Sequence, residues 1–187
     1  VLFGAHPECL ARQDFLRALF APFDCVPAPL KQAEELTTPG CPLYAPGPDL
    51  PGNVLILDTP DFDTGSGGEY VNRDLARQAM ETADIFIYIF TNSNYNNRDN
   101  TDFIANALTG IGKRHCFLVY RVYPSFSSDE VEDHAMTVAR HIYGDEAQKY
   151  VLGVYRADED NSVAAGEKYM QVYAVPPDNP PFSQALA

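Results

Sequence analysis

Residues 53–70 read NVLILDTPDFDTGSGGEY, and this stretch decides the fold class. Its first part, from Asn53 to Asp58, is apolar on both faces, which predicts a buried strand that ends at a carboxylate. In an open parallel sheet, ligands bind beyond the carboxyl ends of the strands, so Asp58 is predicted to face a ligand. A carboxylate in that position can hold Mg²⁺ through a water molecule, and the Gly- and Ser-rich loop that follows can sense a phosphate.

Strand and helix patterns alternate on both sides of this stretch. The alternation predicts right-handed crossovers and a mainly parallel sheet, which is the α/β class. Further strands are predicted at residues 1–4, 84–90, 115–120 and 150–155, the last interrupted by Gly153, and helices at 14–23, 69–82, 100–108 and 127–143.

Two stretches depart from the alternation. Residues 26–52 are rich in Pro and Gly and predict a long surface loop, with an edge strand near Leu43 and Tyr44. The segment from Pro176 onward predicts an extended linker. The sequence therefore predicts one α/β domain over residues 1–175 and a linker over residues 176–187.

Composition excludes several function classes. The formal net charge is −13, from 26 acidic and 13 basic residues. Such a balance disfavours nucleic acid and anionic membranes as partners, and we expect a protein partner instead. The four cysteines form no Cys-x-x-Cys pair and predict reduced thiols in a cytoplasmic protein. The longest apolar run, residues 85–90, is too short for a transmembrane segment.

The run from residue 53 to residue 61 resembles the switch II region of dynamin-like and Era-like GTPases. In those proteins an apolar strand precedes Asp-x-x-Gly, and many bacterial members read Asp-Thr-Pro-Gly or Asp-Thr-Pro-Asp. The resemblance implies a Ras-like three-layer sandwich of the P-loop NTPase type that binds GTP and Mg²⁺. Asp58 would be the Walker B aspartate, and Asp61 would stand where the family has the glycine whose N–H meets the γ-phosphate.

The resemblance extends to the preceding loop, where Thr-Thr-Pro occupies residues 37–39. Such GTPases place a threonine there that closes on Mg²⁺ and the γ-phosphate as switch I. Thr38 is the first candidate for this role and Thr37 the second.

Base recognition is the first departure from the family. The strand at residues 115–120 would lead to Asn/Thr-Lys-x-Asp, but this sequence has Tyr-Arg-Val-Tyr at residues 120–123. Arg121 could stack on a purine, yet no carboxylate follows that could accept from guanine. Arg156 is a second candidate for nucleotide contact, because it follows the strand at residues 150–155, where the family often has Ser-Ala. Asp158 or Asp160 could replace the missing base reader.

The second departure is the phosphate loop, which in this family is Gly-x4-Gly-Lys-Ser/Thr. The segment from Gly4 to Gln13 has no second glycine, no lysine and no hydroxyl side chain. Because the chain begins at Val1 rather than Met, we expect a fragment of a longer natural chain that could carry this motif upstream.

Three interpretations of function remain open. The first is a GTP hydrolase that uses Mg²⁺ and a water nucleophile. The second is a pseudo-GTPase that retains the fold as a protein-interaction scaffold. The third is a haloacid-dehalogenase-like phosphatase, because residues 61–65, Asp-Phe-Asp-Thr-Gly, resemble the Asp-x-Asp-x-Thr style of motif in which the first aspartate, here Asp61, is phosphorylated.

Overall fold

The computed structural model describes residues 1–37, 40–59, 71–91, 98–110 and 112–186. The chain has a mixed α/β architecture and divides into two compact units, Val1–Ala83 and Asp84–Ala187. Each unit contains its own four-stranded, mostly parallel sheet. The predicted α/β class and mostly parallel strands are confirmed, and the single domain over residues 1–175 stays a prediction.

The sheet of the first unit has the strand order β2-β3-β1-β4. Strand β3 runs parallel to both β2 and β1, whereas β4 runs antiparallel to β1. The predicted edge strand near Leu43 exists, but it lies between two other strands, because the short strand β2 pairs with its outer side. The strands are β1 (Leu2–Ala5), β2 (Ala28–Pro29), β3 (Leu43–Pro46) and β4 (Leu55–Asp58).

Helices of the first unit cover an aromatic core. Phe3, Leu16 and Phe20 are almost completely buried, and the rings of Phe3 and Phe20 lie 4.6 Å apart. These contacts fix the first helices against β1, because large apolar side chains gain most when they are removed from water. The helices are α1 (Pro7–Leu10), α2 (Gln13–Leu19) and α3 (Val71–Thr82), with 3₁₀ turns at Ala21–Phe23 and Ala33–Thr37.

The sheet of the second unit has the strand order β5-β6-β7-β8. The first three strands are parallel, and β8 closes the sheet antiparallel to β7. Strands β5, β6 and β7 confirm the strands predicted at residues 84–90, 115–120 and 150–155, whereas β8 has only four residues and was not predicted. The bounds are β5 (Ile85–Phe90), β6 (His115–Val122), β7 (Val151–Asp158) and β8 (Val172–Val175).

The longest helix of the second unit begins at a capping box, as Ser127 and the acidic residues after it predict. The Ser127 hydroxyl accepts from the Glu130 N–H, and the Glu130 carboxylate accepts from the Ser127 N–H. The helix ends at Gly144, whose φ of +62° favours glycine. The helices are α4 (Arg98–Thr109), α5 (Ser128–Tyr143), α6 (Ala147–Tyr150), α7 (Asn161–Ala164) and α8 (Phe182–Ala185), with a 3₁₀ turn at Gly144–Glu146.

Helices pack on both faces of the second sheet, although Ile85, Ile87 and Ile89 of β5 are exposed on one of these faces. On one face Tyr120 stacks on Phe90 at 4.8 Å and contacts His134 of α5 at 5.5 Å. On the other face Phe117 meets Phe182 of α8 at 5.5 Å. The segment after Pro176, for which the sequence predicts an extended linker, therefore contains a short helix that packs onto this unit. None of the described helices is both long and apolar enough to cross a bilayer.

Candidate functional site

Asp58 occupies the position that the sequence predicts, the last residue of β4, and it is exposed. The register of the sheet decides which part of the chain lies beside it. Asp58 is opposite Leu2, and Leu55 is opposite Ala5, because β4 runs against β1. The carboxylate therefore stands at the edge of the sheet where β1 begins.

The segment after β1 lies at the other end of that strand. Three residue steps of about 3.3 Å separate the two ends of β1, or about 10 Å. There the ring of His6 accepts from the Glu8 N–H, and Pro7 opens α1. The Arg12 guanidinium lies 4.8 Å from the centre of the Phe15 ring. The segment that takes the place of a phosphate loop in the chain order is thus not beside Asp58, so phosphate contacts at Asp58 must come from other residues.

The candidate switch residues are described only in part. Thr37 is the last residue of the 3₁₀ turn Ala33–Thr37, whose start is held by the Glu35 carboxylate accepting from the Lys31 N–H at 2.9 Å. Thr38 and Asp61 lie outside the described residues, so their assignments as switch I and switch II contacts stay predictions. The same applies to Asp61 as a phosphatase nucleophile.

Arg121 and Arg156 lie near the carboxyl ends of two neighbouring strands of the second sheet. Strands β6 and β7 are parallel neighbours, with Tyr120 opposite Arg156 and Arg121 opposite Ala157. The carboxyl ends of both strands therefore meet, as expected for parallel pairing. Since side chains alternate along a strand, Arg156 shares the face of Tyr120, whereas Arg121 points to the opposite face.

The Arg156 guanidinium makes hydrogen bonds to other residues of the second unit. Its side chain is only 13% exposed. Nε and Nη2 donate to Asp158 Oδ1 at 2.9 and 2.5 Å, and Nη1 donates to the Phe126 carbonyl at 2.7 Å. These bonds tie the end of β7 to the loop before α5. Period-two spacing in a strand could have indicated the pairing with Asp158, but the contact with Phe126 depends on the fold.

Arg121 is more accessible than Arg156. Its side chain is 44% exposed, and Nε lies 3.7 Å from Oε1 of Glu159. An exposed ion pair at this distance contributes little, about 0–1 kcal/mol, so a ligand can displace it. Glu159 follows β7 directly and was not among the site residues predicted from the sequence. Of the two arginines at this edge, Arg121 is the one that can turn toward a ligand.

Asp160, one of the two aspartates predicted to replace the missing base-recognition residue, has a hydrogen-bond donor and an ion-pair partner within the second unit. Its carboxylate accepts from the Ser162 N–H at 2.8 Å and thus caps α7. The Lys168 ammonium lies 2.5 Å away. Lys168 and the Ser162 N–H keep the pKa of Asp160 below its usual value. These contacts explain the position of Asp160 without a nucleotide.

The described residues contain no group of three His, Cys, Asp or Glu side chains that could hold a metal ion. Mg²⁺ does not require such a group, because it is commonly held by one or two carboxylates together with water and the phosphates of a substrate. The exposed Asp58 carboxylate fits this mode of binding. No protein-family model, curated protein or solved structure matches the chain significantly.

Proposed function

We propose that this chain is a GTPase-like nucleotide-binding protein in which Asp58 contacts Mg²⁺ bound to nucleotide phosphates. The observation that carries the proposal is the exposed carboxylate of Asp58 at the carboxyl end of β4. A hard oxygen ligand at the end of a strand suits Mg²⁺, which when bound would neutralise phosphate charge. Thr37 and Thr38 are the hydroxyl residues proposed to join it, with Asp61 near the γ-phosphate.

Arg121 belongs to the second unit and is proposed, separately from Asp58, as a residue that can contact a purine base. Its planar guanidinium can stack on a purine, and its weak pairing with Glu159 leaves it available. Stacking does not distinguish guanine from adenine. A preference for GTP therefore has to come from hydrogen bonds that other residues make, and comparison of GTP with ATP is part of the test.

The proposal concerns binding rather than hydrolysis. Rapid phosphoryl transfer needs backbone N–H groups and a lysine around the phosphates. Residues 4–13 supply no lysine, and they lie at the far end of β1 from Asp58. No described residue is therefore assigned a catalytic role.

Thermal unfolding with and without ligand tests the proposal. Magnesium and GTP at about one hundred times the dissociation constant should stabilise the native state by about 2.7 kcal/mol, seen as a rise in Tm. EDTA should abolish the rise, and so should Asp58→Asn, which removes the charge that faces the metal. Asp49→Asn is the matched control, because Asp49 is an exposed aspartate of the same unit. An equal Tm rise in Asp58→Asn would refute the role of Asp58.

The second candidate is a pseudo-GTPase that serves as a protein-interaction scaffold. It is favoured by the antiparallel pairing of β4 with β1 and by the internal bonds of Arg156. A Tm that does not respond to millimolar GTP or ATP, with or without magnesium, would select this candidate. Stabilisation by nucleotide that is lost in Arg121→Ala at unchanged basal Tm would instead support a purine contact at Arg121 in the second unit.

A further inference from the structure

Two cysteines of the first unit lie side by side although they are far apart in sequence. Cys25 precedes β2 and Cys41 precedes β3, and these strands are paired in parallel. The Ala28 N–H donates to the Pro42 carbonyl at 3.1 Å, which holds the two chain segments together just after the cysteines. Proximity of the Cys41 side chain is one cause of the raised pKa of Cys25. The two thiols are therefore direct neighbours.

The pair differs from the other two cysteines in exposure. Cys41 is exposed and Cys25 is half-buried, whereas Cys9 and Cys116 are buried. All four are free thiols in the structure. A thiol that reacts with an oxidant has to be accessible and needs a second thiol within reach to form a disulfide. Cys25 and Cys41 meet both conditions.

The two members of the pair have different chemical roles. Burial, followed by the contact with Cys41, raises the pKa of Cys25 to about 12, so that Cys25 remains a thiol at neutral pH. Cys25 can thus donate its proton to the sulfur of Cys41. The exposed Cys41 is the sulfur that meets the oxidant first, and Cys25 is the sulfur that resolves the product.

We propose that Cys25 and Cys41 form a redox-sensitive dithiol that a peroxide converts to an intramolecular disulfide. The Cys41 thiolate attacks one peroxide oxygen, the O–O bond breaks, and the departing hydroxide takes up a proton to give water. Cys41 is then a sulfenic acid. The sulfur of Cys25 attacks the sulfur of Cys41, the S–O bond breaks, and the hydroxide leaves as a second water with the proton of Cys25. The two thiols lose two electrons, and the peroxide gains them.

The disulfide has a defined structural consequence. It closes residues 25–41 into a covalent loop that contains the 3₁₀ turn Ala33–Thr37. A covalent loop restricts the unfolded chain and so favours the folded state. Reduction by a small dithiol reverses the bond through thiol–disulfide exchange. The inference rests on the cysteine pair alone and does not depend on the nucleotide proposal.

The experiment treats the full chain with hydrogen peroxide, blocks the remaining thiols with an alkylating agent and maps the peptides without reduction. We expect one dominant crosslink, between the peptides that carry Cys25 and Cys41, while Cys9 and Cys116 are alkylated only after unfolding. The oxidised protein should melt several degrees higher than the reduced one, and dithiothreitol should reverse the shift.

Cysteine substitutions distinguish a specific Cys25–Cys41 disulfide from general oxidation of the cysteines. Cys25→Ser should abolish the crosslink and leave Cys41 as a sulfenic acid that a dimedone probe traps. Cys116→Ser is the control and should retain the Cys25–Cys41 crosslink. A crosslink that involves Cys9 or Cys116 at a comparable rate, or peroxide-treated wild-type protein in which both Cys25 and Cys41 remain alkylatable, would overturn the proposal.

Discussion

The two units of this protein place the ends of their strands in different surroundings. In the second unit β6 and β7 run parallel, and their carboxyl ends bring Arg121 and Arg156 near Asp158, the last residue of β7, and Glu159, which follows it. In the first unit β4 runs against β1, so Asp58 lies beside the start of its neighbour. A strand followed by a polar loop therefore does not define a site by itself. The direction of the neighbouring strand decides which residues the loop meets.

The largest expected effect is on the free energy of unfolding, when the buried packing around Tyr120 in the second unit is removed. Tyr120 is fully buried, stacks on Phe90 and contacts Phe126 and His134. Tyr120→Ala should lower the free energy of unfolding by about 3–5 kcal/mol, because it leaves a cavity in the core. Urea unfolding followed by circular dichroism measures the change. Tyr123→Ala is the control, since Tyr123 is 64% exposed, and a similar loss there would contradict the argument.

An intermediate loss of stability is expected for Arg156→Ala, and its size should distinguish Arg156 from Arg121. Arg156→Ala removes three charge-assisted hydrogen bonds and leaves Asp158 and the Phe126 carbonyl without this donor. We expect a loss of about 2–3 kcal/mol in the free energy of unfolding. Arg121→Ala, at the exposed pair with Glu159, should cost about 0–1 kcal/mol. Equal losses of unfolding free energy in the two variants would contradict the assignment of a structural role to Arg156 and of a ligand-accessible side chain to Arg121.

The smallest expected effect is on the pH dependence of the free energy of unfolding, and it arises from the capping box at the start of α5. Hydrogen bonds from Ser127 lower the pKa of Glu130 below its usual 4.5. The folded state therefore favours the charged form, and the resulting stability is present above pH 4.5 and is lost as pH falls through the folded pKa. The stability difference between wild type and Glu130→Gln should shrink from pH 7 to pH 3. A stability difference that stays constant between pH 7 and pH 3 would contradict this role of Glu130.

Strands were the most predictable part of the fold. The apolar runs at residues 53–58, 84–90, 115–120 and 150–155 all contain strands. Alternate residues of β4 and β5 are exposed, however, so burial on both faces, which the apolar pattern predicts, is not found in these two strands. The strand β8 was missed, since four residues carry too little pattern. The sequence also gave no sign that the chain would divide near residue 83.

The candidate sites were less predictable than the strands. The exposed position of Asp58 at a strand end followed from the local pattern, but its neighbour Leu2 did not. Arg121 and Arg156 were both chosen from their places after strands, and only the structure shows that Arg156 is bonded within the unit. The cysteine pair was not foreseen, because Cys25 and Cys41 are separated by residues that contain neither strand pattern nor Cys-x-x-Cys spacing.

The sequence by itself determined the α/β class, the strand that delivers Asp58 and the capping of α5, since each depends on residues that are close together in the chain. Tertiary structure alone decided the antiparallel pairing of β4, the partners of Arg156 and the contact between Cys25 and Cys41. The physical reason is that hydrophobic periodicity reports how far a residue is buried but carries no information about which distant segment buries it.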